Sequence, residues 1–114
     1  MAGEGLLMSD NQTQFEQIRE KLISEEENVL AGKMMSSEAI TYKKKVFAFY
    51  MSDGRMGFKL GREFKLEDYG ITDYAVLSPF KNKAPMLDWL LIPARDKWEE
   101  LAQIALERMK DQLG

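Results

Sequence analysis

The most constraining feature of this sequence is a hairpin signature near its middle. Lys45 to Met51 reads Lys-Val-Phe-Ala-Phe-Tyr-Met, with apolar or aromatic residues at both parities, as a strand covered on both faces requires. Ser52-Asp53-Gly54 follows, and Asp-Gly tolerates the positive φ of a tight turn, so the chain reverses here. The return segment alternates. Met56, Phe58 and Leu60 fall on one side, and Arg55, Gly57 and Lys59 on the other, which is the period of two of a β-strand. Two such strands need further strands beside them and a layer of helix over them to bury their apolar sides.

The flanking segments supply both. Phe15, Ile18 and Leu22 recur at helical spacing behind a candidate capping box of Thr13 and Glu16. The acidic run Glu25-Glu26-Glu27 and Asn28 predict the end of that helix, with Asn28 as a left-handed cap. Short strands are expected at Lys33 to Ser36 and Ala39 to Tyr42, with Lys43-Lys44 as the turn into the central strand. Arg62 to Tyr69 suits a short helix stopped by Gly70. Tyr74 to Leu77 and Leu87 to Ile92 read as strands around a loop from Ser78 to Pro85. Asp96 and Glu99 form a second capping signature. Behind it, Trp98, Leu101, Ala102, Ala105 and Met109 line one helical face. The expected fold class is α+β: two layers, an antiparallel sheet with helices in the order α-β(3)-α-β(2)-α. Residues 9–114 are expected to form a single domain behind a flexible extension at 1–8.

Among its 114 residues the chain has no Cys and no His. Thiol nucleophiles, disulfides, Cys/His zinc sites and imidazole bases are therefore excluded. No cofactor or metal is implied. The net charge of -3 is unevenly spread: residues 1–32 carry -5, residues 33–65 carry +5 and residues 66–114 carry -3. A basic middle between acidic ends fits an anionic partner, or a sheet whose solvated positions carry Lys and Arg. The start lacks a basic, apolar leader, and no run approaches a membrane span. The expected location is the cytoplasm, with no membrane partner.

Several local patterns could carry chemistry. Lys45 to Tyr50 partly imitates an RNA-stacking strand, but Val46 and Tyr50 break the pattern, so Phe47 and Phe49 are expected in the core. Gly54-Arg55-Met56-Gly57 has the spelling of a nucleic-acid-clamping loop but sits in a hairpin rather than between helices. Glu25, Glu26 and Glu27 have the right oxygens for a hard cation, yet adjacent helical residues splay over different faces. Asp88, between Leu87 and Trp89, reads as a residue on the polar side of its strand. The surface that stands out combines Lys43, Lys44 and Lys45 with Phe80, Lys81 and Lys83 on the Pro-bracketed loop. If the two meet, they form a basic rim with an exposed aromatic.

The chain resembles the TfoX N-terminal domain family and, more loosely, the YjbR-like proteins. The segments that carry the resemblance are Gly32-Lys33-Met34-Met35, Tyr42 to Ala48, Gly57-Phe58-Lys59-Leu60-Gly61 and above all Lys83-Ala84-Pro85-Met86-Leu87-Asp88-Trp89-Leu90-Leu91-Ile92-Pro93. They run in the family's order over about residues 13–113. Met35-Ser36 stands where family members commonly have Phe-Gly, and Lys83-Ala84-Pro85 where they often have a Gly-Arg-Pro type loop. The resemblance implies a secretion-chaperone-like α+β shape and a regulatory role, and brings no catalytic residues. The expected function is a non-catalytic module that binds a protein, with a homodimer as one form of that contact. Nucleic-acid binding through the basic middle is the second reading. An enzyme using carboxylate, Lys or Tyr groups is the third, for which Asp88, Tyr42 and Lys45 would have to converge on a pocket.

Overall fold

A computed structural model describes residues 10–34, 36–61, 63–77 and 86–113, with the side chains of Met86 and Leu87 left aside. The elements are α1 (Asp10–Glu25), β1 (Val29–Met34), β2 (Ser37–Tyr42), β3 (Lys45–Tyr50), β4 (Met56–Lys59), β5 (Ala75–Leu77), β6 (Met86–Ile92) and α2 (Trp98–Leu113). The strands form one sheet in the order β1-β2-β3-β4-β6-β5. Every neighbouring pair is antiparallel. The fold is therefore α+β with an open six-stranded sheet. Among the described residues no helix is long and apolar enough to cross a membrane.

The central hairpin forms where the sequence places it. Gly54 takes a φ of 95°, and its N–H donates to the Met51 carbonyl at 2.9 Å while the Met51 N–H donates to the Arg55 carbonyl at 2.8 Å. Asp53 accepts from the Arg55 backbone and guanidinium, which draws the Asp53 pKa down, chiefly through the side-chain hydrogen bond. The hairpin is also tied to α1, because Asn11 donates to the Gly54 carbonyl at 2.8 Å.

Both helices pack on one face of the sheet. Phe15, Ile18 and Leu22 from α1 and Trp98, Leu101, Ala102, Ala105, Leu106 and Met109 from α2 meet Ile40, Phe47, Ala48, Met56, Phe58, Leu90 and Ile92. Trp98 is fully buried and satisfies its indole N–H by donating to the Ile92 carbonyl at 2.9 Å, as a buried indole must. A bulge lets β3 serve this face twice. Register shifts between Ile40 and Thr41, so Phe47 and Ala48 both join the helix-side core. A second apolar cluster of Ala39, Phe49, Leu77, Trp89 and Leu91 occupies the opposite face.

Two expectations about element order need correction. Four strands precede the middle segment, not the three of the expected order, and the short strand expected at Lys33 to Ser36 lies earlier, at Val29–Met34. The reversal at Asn28, which takes a φ of 69°, feeds α1 directly into β1. Its sequence Val-Leu-Ala-Gly-Lys-Met lacks the alternation that marks a strand. The helix expected over Arg62 to Tyr69 shrinks to one 3-10 turn, Leu66–Tyr69, because Lys65 is extended. Gly70 then closes the turn in the left-handed region with a φ of 75°. The first helix already includes Asp10, which puts Thr13 inside the helix rather than ahead of it. Asp88 is half-buried in β6, where the register with β5 shifts.

Gly57 is the tightest point of the second cluster. It pairs directly with Phe49, and a Cβ there would collide with the Phe49 ring. The ring thus lies across the glycine, covering bare backbone, and meets Trp89 edge-on at 5.3 Å. Gly57→Ala should cost about 1–3 kcal/mol, the range for overpacking. In a Phe49→Leu background the same change should cost clearly less. Urea unfolding of the four proteins in this cycle measures the difference.

Candidate functional site

The expected basic surface is only half within the described residues. Lys43 and Lys44 form the β2–β3 turn, and Lys45 opens β3 opposite Tyr42. All three are exposed, and none is in an ion pair among the described residues. Lys43 lies 5.5 Å from the centre of the Tyr42 ring, a cation–π contact. Phe80, Lys81 and Lys83 fall outside the described residues.

The other sequence candidates are dispersed. Phe47 and Phe49 are buried on opposite faces of the sheet, so neither offers a ring for stacking. Glu26 is engaged by Lys110 at 2.6 Å, and this bond, first among its causes, holds the Lys110 pKa above the usual lysine range. Glu25 and Glu27 stay exposed. Among the described residues no three acidic groups are arranged to hold a metal ion. Tyr42 and Lys45 are cross-strand partners, but Asp88 lies on β6, with β4 between it and β3.

A groove between the two helices is the feature that sequence reading missed. Its floor is Ile18, Leu22, Tyr69 and Ile104, its rim is Lys21, Asp96, Glu99, Glu100 and Gln103, and its volume is about 710 Å3. A second recess of about 500 Å3 continues past Gln14, Gln17 and Arg95 towards Asp10. The Lys21–Glu99 ion pair stands between the two, lining both. Its hydrogen bond is the main reason the Lys21 pKa is raised. Gln14 fixes the spacing of the helices here. It donates to the Arg95 carbonyl at 2.7 Å and accepts from the Arg95 guanidinium at 2.9 Å.

One sequence signal does point to this groove. The buried stripe of α2 is Trp98, Leu101, Ala102, Ala105, Leu106 and Met109. Ile104 sits off that stripe, on its flank, half-buried. A large apolar residue beside a complete core stripe marks a helix that is apolar on more than its core side. Three carboxylates around an apolar floor give the groove an acidic lip, with one ammonium already neutralised by Glu99.

The lysine turn carries a measurable conformational cost. Lys43 and Lys44 have φ values of 50° and 73°, the left-handed pair that a two-residue hairpin demands and that Asn-Gly adopts best. A non-glycine residue there costs roughly 1 kcal/mol. Replacing Lys43-Lys44 by Asn-Gly should therefore raise stability by about 1 kcal/mol and the melting temperature by several degrees, as thermal unfolding followed by circular dichroism will record.

Compared with protein-family models, with curated proteins and with solved structures, the chain finds no match.

Proposed function

We propose that this chain is a TfoX N-terminal-like domain with a secretion-chaperone-like shape. In this reading it acts without chemistry of its own, as a regulatory module that holds a segment of another protein. The groove between α1 and α2 carries the reading. An apolar floor with a polar rim is the form taken by sites that receive an amphipathic helix, and the acidic lip of Asp96, Glu99 and Glu100 selects a segment rich in Lys or Arg. The Lys21–Glu99 pair would open as the partner's cations take over Glu99. Its exposed position makes that exchange cheap, because exposed pairs contribute little.

The test is capture of partners from cells, followed by binding of the recovered segment to purified variants. Glu100→Lys reverses an exposed rim charge, and Ile104→Arg places a cation on the groove floor. Each should weaken binding at least tenfold while the thermal unfolding of Glu100→Lys stays that of the wild type. Undiminished binding by both variants, or a reproducible turnover lost on mutating a groove residue, overturns the reading.

A second reading, nucleic-acid binding, is favoured by the three ammonium groups of Lys43, Lys44 and Lys45 at one hairpin, none in an ion pair among the described residues. Binding of this kind releases counterions, so three phosphate contacts on duplex DNA should give a slope near -3 in log K against log salt. Lys43→Glu, Lys44→Glu and Lys45→Glu together should abolish it. A flat salt response removes this reading and leaves the groove.

A further inference from the structure

The groove between α1 and α2 has a direction. Gln14 meets Arg95 just before α2, and Glu26, just past α1, meets Lys110 near the end of α2. The two helices therefore run the same way along its walls. The sheet imposes this. β1 and β6 stand four places apart in an all-antiparallel order, so they are parallel to each other, and each helix reverses against one of them. The dipoles of α1 and α2 add rather than cancel, and a third helix laid between them is favoured when it runs antiparallel to both.

The rim is uneven in the same sense. Asp96 lies in the 3-10 turn before α2, and Glu99 and Glu100 lie in the first turn of α2. Beyond them the rim is the neutral Gln103. The acids are thus gathered at the end where α2 begins. The recess that continues past them carries Arg95, whose guanidinium is held by Gln14 and is in no ion pair among the described residues. Lys21 lines the recess too, with Glu99 as its partner and Asp10 as the only other acid there. A partner cation that takes Glu99 releases the Lys21 ammonium beside Arg95.

The last carbonyls of a helix have no partner within it, and Lys and Arg side chains satisfy them. A helix bound antiparallel ends in this recess, where Arg95 and the released Lys21 meet those carbonyls. Its cations then belong in its C-terminal half, against Asp96, Glu99 and Glu100, which is also where cations favour the helix itself. The opposite direction brings the partner's first N–H groups, which are donors, to two cations.

We propose that the groove takes a basic amphipathic helix in one direction only, antiparallel to α1 and α2, with its Lys and Arg in its C-terminal half and its last carbonyls at Arg95 and Lys21. The proposal rests on the groove reading and adds the order of residues in the partner. From Asp10 to Leu22 the wall of α1 is about 18 Å long, which matches a partner helix of about 12 residues.

Placing the two ends of a bound peptide tests it. The absence of cysteine allows a single nitroxide label through Gln17→Cys, beside the recess, or Gln103→Cys, on the far rim. The probe is a designed helical peptide of about 14 residues, with Leu along one face and Lys in its C-terminal half. In NMR spectra the label at position 17 should broaden the C-terminal residues of the peptide, and the label at position 103 its N-terminal residues. Ile104→Arg should abolish both effects. The peptide with a free C-terminal carboxylate should bind several-fold tighter than its amide, and Arg95→Gln should remove much of that gain, since the cycle isolates the contact between carboxylate and guanidinium. Thermal unfolding checks that each variant is folded. Reversed broadening, or equal broadening of both ends by each label, overturns the proposal and leaves the groove in place. So does a carboxylate gain that Arg95→Gln leaves intact. A peptide that does not bind, or whose broadening survives Ile104→Arg, removes the groove reading together with the proposal.

Discussion

Everything else in the structure is arranged around a central strand that must be buried on both sides. Phe47 and Ala48 face the helices while Phe49 faces the other way, and all three are essentially without solvent contact. A strand of this kind cannot sit at an edge, because one of its aromatic faces would then be wet. It takes the third place in the sheet, flanked by β2 and β4. The helices answer to the same demand: α1 and α2 are both needed on one face because Phe47, Met56, Phe58 and Ile92 form a floor wider than a single helix covers. The groove between those helices is a consequence, since two cylinders laid on one sheet leave a valley on their outer side.

The opposite face obeys a different economy. It has no helix among the described residues, and its cluster is built from a few large side chains laid flat over small ones. Phe49 crosses Gly57 and meets Trp89, with Ala39 and Leu91 alongside. Strand glycine is ordinarily a weakness. Here it provides the depth that an aromatic ring needs to lie down, so a cluster of five buried residues forms on a sheet face with no second layer of helix described.

The sequence was legible wherever one element's own pattern decided the outcome. The hairpin at Asp53-Gly54, the stripe of α2, the core residues of α1 and the left-handed Asn28 all follow from local chemistry. β1 was not fully legible, because an edge strand is paired on one side only and Val-Leu-Ala-Gly-Lys-Met need not alternate. The middle helix was over-read: Glu63, Lys65, Glu67 and Asp68 suit a helix by composition, but only Leu66 is buried there, and one anchor sustains one turn. The groove was invisible because it is made by the flanks of elements far apart in the chain. Lys21 and Glu99, which bridge it, are separated by 78 residues, and no periodicity within either helix announces the other. Lys43 and Lys44 form the turn expected of them and Lys45 opens β3, while Phe80, Lys81 and Lys83, the other half of the expected basic rim, lie outside the described residues.

The lysine turn has a logic that bears on function. There the chain keeps residues that folding alone would not select. Asn-Gly would relax the left-handed turn at Lys43 and Lys44. Local choices that run against the fold's own preference are expected where a surface has another task. By the same measure, the Asp53-Gly54 turn carries the residues its geometry favours, and its one nearby cation, Arg55, is already spent on Asp53. Of the β2–β3 and β3–β4 hairpin tips, the one with left-handed lysines is the one whose charges are in no ion pair among the described residues.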